Sequence, residues 1–197
     1  AALDLARNML KRIKTLNTTE SIVDLLILRA MAQYRLGQMK SSLDDLANAT
    51  SVARITGDTF KEIVALNSWG LVLMTKGSFG ESKALLVSAL GKSKLVNQPR
   101  KRVHILLNLS IVELKSGCAK SALHHCNEAY SLLEAQVDHS HKPAFQIIEA
   151  RAQLVQGSSV EANTLAIKML THHDVQTEKR YEPLILELLG DIALSET

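Results

Sequence analysis

Residues 69–89 read WGLVLMTKGSFGESKALLVSA, and this stretch decides the fold. Gly77 separates two apolar segments whose large residues recur every three or four positions, the spacing of helices that bury one face. Glycine adopts left-handed backbone conformations without a steric penalty, so Gly77 is suited to ending one helix and reversing the chain. Small residues at Gly70, Ser82 and Ala89 allow the two helices to approach closely. The stretch therefore predicts a helix–turn–helix pair.

The same pattern recurs along the chain with a period of 40 residues. Small residues stand seven positions before and five positions after each turn glycine. The turn glycines are Gly37, Gly77, Gly117 and Gly157, the residues before them are Ala30, Gly70, Ser110 and Ala150, and the residues after them are Ser42, Ser82, Ala122 and Ala162. A third small position, twelve residues after the glycine, holds Ala49, Ala89 and Ala129, and Met169 breaks this series. Repetition of one unit predicts stacked helix pairs that cover each other's apolar faces.

The period divides the chain into a single repeat array. We predict first helices over 21–36, 59–76, 100–116 and 143–156, and second helices over 39–56, 79–95, 119–136 and 159–170. Four full repeats then occupy 19–58, 59–98, 99–138 and 139–178. Residues 1–18 are predicted to be the second helix of a truncated repeat and residues 179–197 the first helix of a further one, so we expect a longer parent protein. No alternating strand pattern interrupts the helices, and the predicted fold class is all-α.

The composition fits this fold and excludes several classes of function. Hydrophobic residues make up 46% of the chain and aromatic residues only 4%, a balance typical of helices packed on helices. The longest apolar runs fall far short of the ~20 residues that cross a bilayer, so we expect no membrane partner. A net charge of +3 is too small to imply nucleic acid. Cys118 and Cys126 make no disulfide framework and suit an intracellular location, cytoplasmic or nuclear.

The repeated anchors resemble those of tetratricopeptide repeats (TPR). The second repeat matches best, with Trp69-Gly70, Gly77, Phe79, Ser82 and Ala89. The first and fourth repeats depart from the pattern, because Arg29 and Glu149 stand where a large apolar residue belongs. The 40-residue unit is similar to the long form found in kinesin light chains, Leu-Gly-Asn polarity adaptors, and the scaffolds of the anaphase-promoting complex and the cohesin loader. The resemblance implies a right-handed superhelical α-solenoid of TPR-like helix–turn–helix repeats.

Candidate catalytic and metal-ligating residues are few. Cys118, His124, His125 and Cys126 are of zinc-ligand types, but eight positions separate the cysteines, whereas structural zinc sites space paired ligands by two to four. Small buried cysteines are the simpler interpretation. His139, His141, His172 and His173 fall in polar loops, where solvated side chains are a simpler interpretation than pH sensors. No nucleophile motif or phosphate-binding glycine loop can be singled out, so we expect no enzyme, no metal and no cofactor.

The candidate partner-binding residues follow from the resemblance. In TPR arrays the first helices line the concave face, and positions thirteen, ten, six and three before the turn glycine are exposed there. The candidates at these positions are Ile27, Met31, Tyr34, Asn67, Leu71, Met74, His104, Leu107, Ile111, Leu114, Ile147 and Arg151. Most are apolar, so the stripe suits an extended segment or an amphipathic helix of a partner. The alternative is that other parts of the chain, or tight superhelical curvature, bury this stripe.

A second candidate contact is a cluster of positive charge between the second and third repeats. It consists of Lys94, Arg100, Lys101 and Arg102. Such a cluster could meet an acidic partner, a phosphate or nucleic acid. Aromatic residues that would stack on bases do not accompany it, so a solvated surface is the simpler interpretation and we expect no nucleic acid.

These observations predict a protein–protein interaction scaffold. It is expected to bind an extended or helical segment of a protein or peptide partner along its concave face, as a subunit of a larger complex. A few buried apolar anchors would decide the affinity. The alternative function is a peptide-sensing regulatory domain of a transcriptional or signalling protein.

Overall fold

The computed structural model describes residues 20–136, 141–171 and 181–195, which form helices joined by short turns. In chain order the helices are α1 (Glu20–Arg35), α2 (Met39–Ile55), α3 (Thr59–Lys76), α4 (Phe79–Leu95), α5 (Pro99–Lys115), α6 (Ala119–Gln136), α7 (Lys142–Val155), α8 (Ser159–Thr171) and α9 (Glu182–Ser195). The eight helices predicted between residues 21 and 170 are all present, with ends that agree to within one residue. The described residues contain no strand. The predicted helix within 1–18 lies outside them.

The chain divides into two compact units, Ala1–Asn108 and Leu109–Thr197, and the division falls inside α5. In the first unit, α2 packs against both α1 and α3, α3 packs against α4, and α1 also contacts α3. In the second unit, α7 packs against both α6 and α8, and α9 contacts α7 and α8. A helix that follows a pair thus lies against both of its members in each unit. Such contacts are those of repeats that each cover the apolar face of the one before.

Residues in the left-handed backbone region end helices at intervals of 20 residues, or of 40 between the last two. They are Gly37, Gly57, Gly77, Asn97, Gly117 and Gly157, with φ between 47° and 88°. At Gly77, the glycine amide donates to the Met74 carbonyl at 3.1 Å, and the Ser78 amide donates to the Leu73 carbonyl at 3.0 Å. These two bonds satisfy carbonyl groups that the end of α3 would otherwise leave without partners. The predicted role of the turn glycines is confirmed, and Gly57 and Asn97 add equivalent turns between pairs.

The predicted small positions lie where the helices of a pair meet. The residues of all three series are at most 2% exposed or, for Gly70, buried within α3. An added Cβ at Gly70 would lie 2.6 Å from the Leu86 Cγ atom, so this contact leaves no room for a side chain. The Ser82 hydroxyl donates to the Gly70 carbonyl at 2.7 Å, and the Ser42 hydroxyl donates to the Ala30 carbonyl at 2.8 Å. A repeated hydrogen bond therefore joins the two helices within each of the first two pairs, and close packing adds to it between α3 and α4.

The two departures from the TPR pattern have polar partners on neighbouring helices. The Arg29 guanidinium on α1 donates two hydrogen bonds to the buried Asp45 carboxylate on α2. This hydrogen bonding raises the pKa of Arg29 above its ordinary value. The Glu149 carboxylate on α7 accepts a hydrogen bond from the Tyr130 hydroxyl on α6 at 3.0 Å. Because each charged side chain is paired, these departures do not leave an unpaired charge in the interior.

Candidate protein-interaction surface

Side-chain bridges join neighbouring first helices of the first unit. The Tyr34 and Thr75 hydroxyls, on α1 and α3, lie 3.0 Å apart, within hydrogen-bonding distance. Between α3 and α5, the Asn108 amide group donates to the Asn67 side-chain oxygen at 2.9 Å. The bonded residues are 41 positions apart in both bridges, as neighbouring first helices of a 40-residue repeat require. The structure therefore places Tyr34 and Asn67, both predicted from sequence, at contacts between adjacent helices.

Most candidates of the first unit keep part of their surface exposed. We call Ile27, Met31, Tyr34, Asn67, Leu71, His104 and Leu107 the first-helix stripe. Its members are half-buried, apart from His104, which is exposed. Ile27, Met31 and Tyr34 pack against a core cluster formed by Ala30, Leu46 and Val72. Their inner sides thus stabilise the fold, and their outer sides are accessible to a partner.

Met74 does not belong to this exposed set. Its side chain is only 7% exposed, so the prediction that Met74 is accessible is wrong. Val72 and Leu73 are buried as well, and three consecutive buried residues span more than half of the circumference of a helix. The physical reason is that α3 packs against α1, α2 and α4 and therefore has little free circumference.

The candidates of the second unit are half-buried or buried, and one of them forms an ion pair within the unit. Ile111 and Leu114 are half-buried. Ile147 is 6% exposed, so its predicted accessibility is wrong. It lies in a core cluster with Ile185 of α9, because α9 packs against α7. Arg151 is half-buried, and its guanidinium lies 3.2 Å from the Glu187 carboxylate of α9.

A small open cavity adjoins the amide bridge of the first unit. Its volume is about 110 Å³, and its lining residues are Ile63, Val64, Asn67, Lys101, His104 and Ile105. Asn67 and His104 belong to the first-helix stripe. The Lys101 ammonium lies 5.3 Å from the centre of the Phe60 ring, a cation–π contact that holds the lysine side chain near this cavity. The cavity thus combines apolar walls with hydrogen-bond donors.

The side chains of the predicted basic cluster are exposed to different degrees. Lys94 and Arg100 are exposed, whereas Lys101 and Arg102 are half-buried. The Arg102 Nε atom is buried and has no hydrogen-bond partner among the described residues. Pairing with a carboxylate or phosphate would satisfy such a guanidinium best.

The cysteine and histidine candidates form no metal site in the described part of the chain. No group of three or more metal-ligating side chains is found there. Cys118 is exposed, whereas Cys126 is buried with its sulfur 3.7 Å from the Ser110 hydroxyl. Burial raises the pKa of the Cys126 thiol from 9.0 to about 11, which keeps it neutral and unreactive. His141 is half-buried, and His139, His172 and His173 lie outside the described residues.

Three bridging residues were missed by the sequence analysis. Thr75, Asn108 and Glu187 each bond to a predicted candidate on a neighbouring first helix. The signal that could have found them is a polar residue placed about one period after a polar candidate.

Within the described residues, no helix is both long and apolar enough to cross a membrane.

The chain matches no family model and no curated protein by sequence. Its structure is similar to the Rap conjugation gene regulator of the plasmid pLS20, solved in complex with the Phr* peptide, with a TM-score of 0.67 and 18% identity. That match covers 98% of this chain and 56% of the regulator. A kinesin light chain from Podospora anserina with nearly identical TPR-like repeats matches with a TM-score of 0.63 and 15% identity, covering 95% of this chain and 96% of that one. These similarities show that the fold is an all-α solenoid of TPR-like repeats.

Proposed function

We propose that this chain is a non-enzymatic interaction scaffold that binds an extended or helical segment of a protein partner along the first-helix stripe. The observation that carries the proposal is the amide bridge between Asn67 and Asn108, set among half-buried apolar side chains. Leu71 lies one helical turn after Asn67, and Leu107 occupies on α5 the position that Asn67 has on α3. Apolar contact and hydrogen bonding are thus offered on the same surface.

The amide bridge uses only part of the hydrogen-bonding capacity of its two side chains. An asparagine amide has two N–H donors and an oxygen acceptor. The bridge takes one donor of Asn108 and the oxygen of Asn67. The remaining donors and the Asn108 oxygen suit the backbone of a peptide, whose N–H and C=O groups need partners once they leave water. The bridge also fixes the orientation of both amides, which lowers the entropy cost of binding.

The apolar members of the stripe supply affinity by burying surface that is still accessible. Full burial of a large aliphatic side chain contributes roughly 1.5–3 kcal/mol, so a half-buried side chain adds about 1 kcal/mol when a partner covers it. Ile27, Met31, Leu71 and Leu107 are such side chains. Because association itself costs several kcal/mol, a handful of these contacts decides the affinity. The similarity in fold to a regulator solved with a bound peptide supports this mode of binding.

The proposal is tested by selecting peptides from a phage-displayed random library on the immobilised chain. Isothermal titration calorimetry then compares the wild type with the variant Leu71→Glu/Leu107→Glu. The matched control is Ile55→Glu/Val87→Glu, which places the same charges at exposed apolar positions on α2 and α4. We expect a class of selected peptides that binds the stripe variant at least about tenfold more weakly and the control unchanged, since a buried charge faces a desolvated apolar contact.

Thermal unfolding of both variants accompanies the binding measurement. Both should keep a Tm within a few degrees of the wild type, because the changed side chains retain exposed surface. A selection that yields no peptide weakened by the stripe variant would remove the first-helix stripe from the proposal. Met74 is unsuitable for this test, because a charge at a buried position would unfold the helix stack whether or not a partner binds there.

A second candidate function is peptide sensing, favoured by the similarity to a conjugation gene regulator. A sensor must change conformation when its peptide binds, whereas a scaffold needs no change. Small-angle scattering with and without a selected peptide separates the two. A clear change in the radius of gyration on binding supports the sensor, and an unchanged radius supports the scaffold.

A further inference from the structure

The turn between α4 and α5 exposes apolar and basic side chains together. We call Lys94, Leu95, Val96, Arg100, Lys101 and Arg102 the α4–α5 junction. Leu95 is 86% exposed, and Val96 is 37% exposed. The Val96 amide donates to the Lys92 carbonyl at 3.2 Å, and the Gln98 amide donates to the Ser93 carbonyl at 3.1 Å. These backbone bonds hold the turn, so its exposed side chains are presented by an ordered backbone.

The equivalent junction one repeat earlier, between α2 and α3, is neutralised by acidic side chains. Glu62 is buried, with its carboxylate 3.1 Å from the Arg54 guanidinium and 3.0 Å from the Lys92 ammonium. The Lys61 ammonium lies 3.2 Å from the Asp24 carboxylate and 3.7 Å from the Asp58 carboxylate. Three carboxylates thus face the cations of this junction.

The α4–α5 junction keeps the cations and replaces every one of these acids. Lys94 and Lys101 stand forty residues after Arg54 and Lys61. The positions equivalent to the three acids are occupied by Val64, Gln98 and Arg102. The Glu62 carboxylate, which contacts both Arg54 and Lys92 in the α2–α3 junction, is therefore replaced by the Arg102 guanidinium in the α4–α5 junction.

At Arg102, the replacement of an acid by a cation leaves one guanidinium nitrogen without an acceptor in the described part of the chain. Its Nε atom is buried and has no hydrogen-bond partner among the described residues. A buried guanidinium nitrogen without an acceptor is costly, and within the described ranges Arg102 lacks the carboxylate that Arg54 has in Glu62. Arg100 adds an exposed guanidinium two positions earlier. The junction is thus complementary to negative charge, beside an apolar surface.

We propose that the α4–α5 junction docks an acidic segment of a protein partner in which an apolar residue is flanked by Asp or Glu. Leu95 and Val96 contact the apolar residue, and the guanidinium groups of Arg100 and Arg102 bind its neighbouring carboxylates. Arginine binds carboxylates with two parallel hydrogen bonds, which gives this contact directional specificity. The four residues that make these contacts are not members of the first-helix stripe, although Lys101 of the junction also lines the cavity beside Asn67 and His104. A polyphosphate backbone would leave exposed Leu95 without a matching contact, so the apolar part favours a peptide over nucleic acid.

The test is a selection from a phage-displayed random peptide library on the wild-type chain, with counter-selection on Leu95→Ser/Arg100→Glu. Both changed side chains are exposed, so the variant is expected to fold. The matched control is Ile55→Ser/Lys40→Glu, which likewise replaces an aliphatic residue by serine and a cation by glutamate at exposed positions elsewhere in the first unit. We expect enriched peptides that place Asp or Glu beside Leu, Ile or Phe. They should bind the counter-selection variant about tenfold more weakly or worse, and the control as tightly as the wild type.

A second variant transplants the acids of the earlier junction. In Gln98→Asp/Arg102→Glu, the new carboxylates take the positions equivalent to Asp58 and Glu62, and the carboxylate introduced by Gln98→Asp can pair with Lys101 three residues later. We expect loss of acidic-peptide binding without a fall in Tm, because the junction loses one cation and gains two carboxylates. If this variant does not fold, the exposed-residue variant above still decides the matter.

Several results would overturn the proposal. Enriched peptides without an acidic excess, or a library that yields no peptide sensitive to Leu95→Ser/Arg100→Glu, would do so. Tighter Arg100-dependent binding to duplex DNA, or to vesicles of phosphatidylcholine and phosphatidylserine, would assign the junction to another class of partner. Peptides that lose binding only in Leu71→Glu/Leu107→Glu belong to the first-helix stripe, so failure of this proposal leaves that one intact.

Discussion

The α3–α4 pair and the α7–α8 pair bury large and small side chains in opposite order. On α4, Leu86 and Ala89 are fully buried, nine and twelve residues after the turn glycine. On α8 the equivalent residues are Ala166 and Met169, exposed by 0% and 2%. Positions three residues apart share one face of a helix, so the bulky side chain has moved by about one turn. Met169, which breaks the alanine series, is therefore compensated by the small Ala166.

The two pairs fill the space between their helices with side chains from different positions. The facing first helix has Gly70 in one pair and Ala150 in the other. Gly70 leaves no room for a Cβ because Leu86 fills that space. Packing thus requires one bulky side chain in the space between the two helices of a pair. Either of the two positions on the second helix can supply that side chain.

The α1–α2 pair extends the comparison to charge. Arg29 and Asp45 form an ion pair at positions where the α3–α4 pair has Trp69 and Leu85. The largest expected effect comes from breaking this pair on one side. We expect Asp45→Leu to lower the free energy of unfolding by roughly 3 kcal/mol, because Arg29 loses its carboxylate and keeps only partial solvent contact. Urea denaturation measures the loss.

The control for Asp45→Leu transplants the residues of the second pair. In Arg29→Trp/Asp45→Leu both charges are replaced by the apolar side chains found at Trp69 and Leu85. Replacing a buried ion pair by apolar residues is often neutral or stabilising. The double variant should therefore recover most of the loss. A double variant as unstable as Asp45→Leu would mean that the two pairs are not interchangeable in shape.

The left-handed turn residues provide the next expected effect. Gly77 has a φ of 88°, and no atom lies within 4 Å of an added Cβ, so only backbone conformation opposes substitution there. We expect Gly77→Val to lower the free energy of unfolding by about 2 kcal/mol. Gly77→Asn should cost less than half as much, because asparagine tolerates this region, as Asn97 does at a φ of 47°. Thermal unfolding that ranks the two variants equally would refute a backbone origin.

Gly70 differs from Gly77 because its constraint is steric. We expect Gly70→Ala to cost about 1–2 kcal/mol, since the added methyl group meets Leu86 and the helix propensity of alanine offsets only part of the clash. Gly91→Ala on α4 is the matched control, with nothing within 4 Å of the added Cβ. It should gain up to about 1 kcal/mol. Urea denaturation in which both variants shift in the same direction would contradict the close contact between α3 and α4.

The features that could be predicted from sequence are those set by local backbone geometry. The turn glycines and the helix ends follow from conformational preference and apolar spacing, and the structure confirms them. The burial of Met74 and Ile147 could not be predicted, because it depends on which neighbouring helices cover α3 and α7. The Asn67–Asn108 bridge likewise needs the lateral position of α5 against α3, which periodicity along one chain does not specify.

The smallest expected effect concerns the third pair, where Ser110 and Cys126 stand at the positions of Gly70 and Leu86. Burial raises the pKa of the Cys126 thiol from 9.0 to about 11 in the folded protein. The unfolded chain therefore ionises first as pH rises, and stability that is complete below about pH 9 is lost between about pH 9 and pH 11. Between about pH 8 and pH 10 this thiol should remove about 1 kcal/mol of stability.

Cys126→Ala isolates this contribution, and Cys118→Ala, which removes an exposed thiol, is the matched control. Burial also raises the pKa of Tyr130, so all three proteins share a further loss of stability at high pH. Urea denaturation across this pH range should show a shallower decline for Cys126→Ala than for the wild type. Cys118→Ala should parallel the wild type, because its thiol is exposed. Parallel declines in all three proteins would mean that the cysteine which replaces leucine in the third pair is open to solvent, and that this pair is less tightly filled than the α3–α4 pair.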